Sequence, residues 1–167
     1  MALFNPTEDC VFPTEPAFLV PVKVKETPQY GDGHCGVFAS EAIAAGTKFW
    51  AWTDRVKRIH HIELDAYIDS NFGNDDTESV LCFLRQGFVL PGEGKDDVFH
   101  SNPTDAGRFM NHSNTPNCVP DGTLCDIRSG EELTMDYGFH GDPKWYRDIC
   151  ERYGVLTETE IARRARE

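Results

Sequence analysis

Asn111, His112 and Ser113 follow the apolar pair Phe109 and Met110 directly, and polar groups set behind apolar ones must be paired with something. The cluster suits a ligand. Further along, Leu133 and Met135 alternate with Thr134 and Asp136 as in a short strand, which runs out on Tyr137 and Gly138. A phenol at a strand end is well placed to meet what the first run holds. Upstream, Gly31-Asp32-Gly33-His34-Cys35-Gly36 reads as a tight turn, and glycine there permits positive φ and close approach of a backbone to a ligand. Taken alone, such a turn is more often a plain hairpin.

Other chemistries find less support. The six cysteines, at 10, 35, 82, 118, 125 and 150, show no Cys-x-x-Cys spacing, so they read as reduced, mostly buried thiols. His60 and His61 point different ways in either a strand or a helix and have no carboxylate or thiol at ligand spacing, so they read as a solvated pair. No metal is expected. The net charge of −12 argues against direct nucleic-acid binding, which needs a cationic stripe, and is compatible with a basic peptide partner. Acidic residues that merely keep the chain soluble explain the charge as well.

The elements that position these groups can be read in outline. Residues 1–17 are Pro-rich and read as an irregular arm; a first strand is expected over Phe18–Lys25, then Val37–Ala39 as a short buried strand. Thr47–Thr53, with Phe49, Trp50 and Trp52, reads as the next strand, and core packing is the preferred role for Trp50. Residues 54–102 hold ten acidic side chains against five basic ones, with loops at Asn71–Asp76 and Pro91–Gly94. Leu64, Tyr67 and Ile68 suit a short helix, whereas Val80–Leu90 fits helix or strand. Pro120–Thr123 forms a turn. Near the C-terminus Asp142 is expected to cap a helix with Pro143 at its first position, Tyr146, Ile149, Cys150 and Tyr153 on one face, and Gly154 as its stop. Thr157 with Glu160 then reads as the capping box of a last helix.

The run Arg108-Phe109-Met110-Asn111-His112-Ser113 with Pro116-Asn117, followed by Asp126-Ile127 and Gly130-Glu131-Glu132-Leu133-Thr134-Met135-Asp136-Tyr137-Gly138, resembles the two C-terminal motifs of the SET-domain methyltransferases. The turn at Gly31–Gly36 with Val37-Phe38-Ala39 is similar to that family's N-terminal motif, with His34 in place of one glycine. The resemblance implies a mainly β (α+β) fold of small β-sheets, a knot-like threading of the tyrosine segment past the Asn-His-Ser loop, and a helical C-terminal tail. Its layout here would be an arm at 1–17, the SET domain at 18–141 with 54–102 as the variable insert, and a helical segment at 142–167. Cysteine-rich zinc modules common in relatives are missing, so the helix after Pro143 becomes a candidate lid, with ordinary packing as the other reading.

The implied activity is S-adenosylmethionine-dependent methyl transfer, with S-adenosylhomocysteine as product. The implied cofactor contacts are His34, Cys35, Gly36, Arg108, Phe109, Asn111, His112 and Tyr137; the implied acceptor channel is Trp52, Met135 and Phe139. Relatives usually carry tyrosine where Trp52 falls, and Phe or Tyr where Met135 falls. Tyr137 is the implied catalytic residue. A carboxylate pair of Glu131 and Asp136 for hydrolysis is set aside, because both belong to the strand motif. The acceptor would be a protein lysine; a small-molecule acceptor and a non-catalytic module binding basic peptides are the alternatives. No run of about eighteen apolar residues is present and Met1–Glu15 lacks the pattern of a signal peptide. An intracellular protein is expected, nuclear or cytoplasmic, and oligomeric state is left open.

Overall fold

The computed structural model describes residues 17–31, 33–54, 56–72, 76–90, 98–101, 106–139 and 141–167, without the side chains of Leu90 and Phe139. The expected arm at 1–16 and the loops at 73–75 and 91–97 lie outside the described residues. In chain order the elements are β1 (Val22–Glu26), β2 (Cys35–Ala39), β3 (Lys57–His60), α1 (Leu64–Asn71), α2 (Thr77–Arg85), β4 (Gly87–Leu90), β5 (Val98–Ser101), β6 (Asn111–His112), β7 (Cys118–Val119), β8 (Gly122–Thr123), β9 (Glu132–Met135), α3 (Lys144–Tyr153) and α4 (Glu158–Ala165). The architecture is α+β, small sheets with a few helices, in keeping with the expected α+β fold of small β-sheets.

Two compact units emerge, one within Met1–Thr53 and Asp105–Asp136, the other within Asp54–Thr104 and Tyr137–Glu167. In the first, a four-stranded sheet runs in the order β1-β2-β9-β6, with β6 parallel to β9 and the other pairs antiparallel. Directly paired residues point to the same side of a sheet. Val37 opposite Leu133 therefore faces one side, where Val22, Ala39, Ile43, Phe49, Met110, Cys118 and Ile127 complete a core. Phe38 opposite Glu132 faces the other. Burial pushes the Cys118 thiol up to about 12, which keeps it inert.

The second unit packs α1, α2 and α3 around a sheet of order β3-β5-β4, with Leu64, Leu84, Phe99 and Tyr146 among its buried side chains. The stretch Val80–Leu90 is both helix and strand: α2 ends at Arg85 and β4 begins at Gly87. Gly87 is required there because a Cβ on it would overlap the ring of the fully buried Phe99. Gly87→Ala is expected to lower stability by about 1–3 kcal/mol through overpacking. Thermal melting of the variant checks this; an unchanged Tm would contradict the packing.

Other expectations need correction. Thr47–Thr53 is not a strand: it makes one isolated bridge, Trp50 to Phe18, because its hydrogen bonds are split between residues 17–19 and Thr123. The first strand starts at Val22, after Pro21. Pro143 is the N-cap of α3 and no side chain caps it, since the proline's extended ψ of 155° leaves it just outside the helix. Gly154 does close α3, at φ 67°. Thr157 accepts a hydrogen bond from the Glu160 amide at 3.3 Å, but the Glu160 carboxylate turns to Arg163 and Arg164, so only half the capping box forms. Cys82 and Cys125 are exposed rather than buried. His60 is exposed, whereas half-buried His61 stacks near Trp145 at 5.5 Å between centroids.

Half-buried Glu158, at the start of α4, has its carboxyl pushed up to about 8 by burial, with the Asp142 charge adding to it. The unfolded chain releases that proton near 4.5, so the folded state holds the extra proton between these values and stability falls as pH rises from about 4.5 through 8. Glu158→Gln removes this loss. After allowance for solvent screening of a half-buried group, the variant is expected to gain about 1 kcal/mol over the native chain at pH 9 and nothing at pH 4. Melting curves at the two pH values test it; a difference independent of pH would refute the assignment.

Candidate active site

The Asn-His-Ser run becomes β6, and its pairing with β9 sets Asn111 beside Thr134 and His112 beside Met135. Ser113 continues the contact, its amide donating to the Met135 carbonyl at 2.9 Å. Asn111 Nδ2 donates to the Cys35 carbonyl at 3.0 Å and to Glu132 Oε1 at 2.7 Å. Segments far apart in the chain thus meet on the sheet face that carries Phe38 and Glu132. Gly36 lies under this contact. A Cβ on it would overlap Glu132 Oε1 and stand 2.9 Å from Thr27 Cγ2. Close approach is the reason for glycine at 36, whereas Gly33, at φ 74°, meets the turn's need for positive φ.

Glu132 and Asn117 are the residues that sequence reasoning left without a role. Glu132 reads in sequence as the solvent side of an alternating strand, yet it sits half-buried over Gly36. Burial, and after it the charge of Glu132, raise the Tyr30 phenol above its ordinary value. Asn117 is buried and grips the backbone of β9 from the side: Nδ2 donates to the Glu132 carbonyl at 2.7 Å and Oδ1 accepts from the Thr134 amide at 2.9 Å. It takes the place of a neighbouring strand. Asn117→Ala strands both groups without partners and is expected to destabilise the protein by about 1–3 kcal/mol. Denaturant unfolding measures it, and a shift smaller than about 0.5 kcal/mol would show the grip to be dispensable.

The His112 side chain is 7 % exposed, with Nδ1 3.8 Å from Asp136 Oδ1 and Nε2 3.1 Å from Asn114 Oδ1. Pairing of β6 with β9 fixes its backbone at the sheet end. Arg108 lies over the Phe109 ring at 5.1 Å, and Phe109 packs against the first core. Exposed His34 stands edge-on to Tyr30 at 6.3 Å.

Trp52 is 40 % exposed and meets Trp50 edge-on at 4.7 Å, while the buried Trp50 indole N–H has no hydrogen-bond partner among the described residues. Trp50 packs against the first core, and so does Met135, which projects from β9 on the side opposite Glu132. Tyr137 follows Asp136 and opens a 3-10 turn, Tyr137–Phe139, against which α4 lies within the second unit. The Phe139 side chain lies outside the described residues. The structure brings Cys35, Gly36 and Asn111 together around Glu132, with His112 adjoining; Trp52 stands with Trp50, and Tyr137 belongs to the other unit.

Among the described residues no group of three His, Cys, Asp or Glu side chains could hold a metal ion, and no helix is long and apolar enough to cross a membrane. A family model described as SET domain matches residues 34–138, more than half of the chain. No curated protein matches it.

Proposed function

The chain belongs to the SET-domain family, a family of methyltransferases, and from that membership we propose an S-adenosylmethionine-dependent enzyme that methylates a lysine amine of a protein by direct in-line transfer. The observation that supports it most is the convergence of Cys35, Gly36 and Asn111 on one sheet face. These residues fit the cofactor. Gly36 leaves room for the Glu132 carboxylate beside Asn111, and Asn111 Oδ1 stands without a hydrogen bond among the described residues. Parallel pairing of β6 with β9 supports the knot-like threading of the family.

S-adenosylmethionine, when bound, supplies an electrophilic methyl group on a sulfonium. By the resemblance, Asn111 would hold its amino-acid end through the side chain and His112 the adenine through backbone groups, with Arg108 bracing the loop behind them. His34, Cys35, Gly36 and Phe109 would border the same ligand. Nothing covalent is required of the protein, but the amine must be neutral. Lysine titrates near 10.4, so keeping it neutral at about pH 8 costs roughly 3 kcal/mol. An apolar aromatic channel lowers that cost by desolvating the ammonium form, and the resemblance assigns Trp52, Met135, Tyr137 and Phe139 to it. By the resemblance, the Tyr137 hydroxyl would orient the amine for transfer. A net charge of −12 favours a basic protein segment as the acceptor's carrier.

Transfer of a labelled methyl group to basic lysine peptides, to cell-extract protein and to extract small molecules tests the proposal. Label recovered as methyl-lysine is expected. Label confined to small molecules would move the acceptor class, and cofactor binding without any transfer would leave a binding module.

A further inference from the structure

Building on that reading, we propose that Glu132 is the counter-ion of the cofactor's α-ammonium group and so decides which way the amino-acid end lies. Both hydrogens of the Asn111 amide are used, one on the Cys35 carbonyl and one on Glu132 Oε1. What the cradle still offers is acceptors: Asn111 Oδ1 and Glu132 Oε2. Oε2 takes no hydrogen bond and no cation pairs with the Glu132 carboxylate among the described residues. A half-buried carboxylate without a cation is unfavourable, and a ligand cation completes it.

The donor set selects the group. Acceptors carrying one negative charge match a primary ammonium, which has only donors, and they repel a carboxylate. The acceptor lysine is the wrong occupant, because a carboxylate beside it would hold it protonated and unreactive. The α-ammonium is the primary ammonium that the cofactor itself brings. The competing role for Glu132, a mere brace for Asn111, predicts no dependence on that amino group.

Calorimetric titration of the native chain and of Glu132→Gln, each with S-adenosylhomocysteine and with its analogue lacking only the α-amino group, separates the two. Glutamine keeps an acceptor for the Asn111 N–H but no charge. The native chain is expected to bind S-adenosylhomocysteine about 10- to 100-fold tighter than the deaminated analogue, as befits a charge-assisted bond. Glu132→Gln is expected to lose that preference while binding the deaminated analogue within about threefold of the native chain. Equal weakening of both ligands, or of neither, overturns the proposal. Should the variant not fold, equal affinity of the native chain for the two ligands overturns it as well. Binding of neither ligand by the native chain would instead strike at the methyltransferase reading itself.

Discussion

Tyr137→Phe is expected to lower methyl transfer by about 100-fold or more while leaving affinity for S-adenosylmethionine within about threefold. The change deletes one oxygen and keeps the ring. An in-line displacement depends on the angle at which the amine's lone pair meets the methyl carbon, and a single positioned hydroxyl acts on that angle chiefly at the transition state. Tyr137 is half-buried at the first position of a 3-10 turn that α4 backs, so its backbone is held from within its own unit. Steady-state kinetics and calorimetry read the two effects separately. Unchanged turnover would remove Tyr137 from the chemistry; a matched fall in affinity would make it a binding residue.

Gly36→Val is expected to weaken cofactor binding by about 10- to 100-fold without unfolding the chain. The added Cβ would overlap Glu132 Oε1, and on its other side Thr27, a buried residue, stands at 2.9 Å and has no room to retreat. Glu132 is the group that can move, because the obstacle is the far end of its side chain. Moving it breaks the 2.7 Å bond from Asn111. Asn111 then loses the partner that fixes its amide plane. Calorimetry against S-adenosylhomocysteine, with circular dichroism as a check on folding, measures the loss. Native affinity in a folded variant would show that nothing binds against this strand.

The family was legible before any coordinates, and the reason is local. Asn111-His112-Ser113 and the strand Glu132–Met135, which ends two residues before Tyr137, are short contiguous patterns, and Gly33 and Gly36 act through their own backbone positions. The family model over residues 34–138 agrees with that reading of family. What escaped depends on register. Glu132 looks like a solvent-facing acid until β9 is laid against β2, which brings its carboxylate over Gly36. Asn117 looks like a turn residue until its amide is seen gripping β9. Thr47–Thr53 has the aromatic content of a strand, but no single neighbour runs alongside it long enough. Conversely, Val80–Leu90 was ambiguous because it contains an element boundary: apolar side chains fit both periods and Gly87 marks the change.

The central claim is that one sheet face, floored by Gly36 and edged by Asn111, exists to hold a sulfonium donor. Titration of the native chain with S-adenosylmethionine addresses it most directly. Saturable heat at one site per chain, with a matching rise in Tm, is the predicted result. No heat and no thermal shift at millimolar ligand would contradict the account.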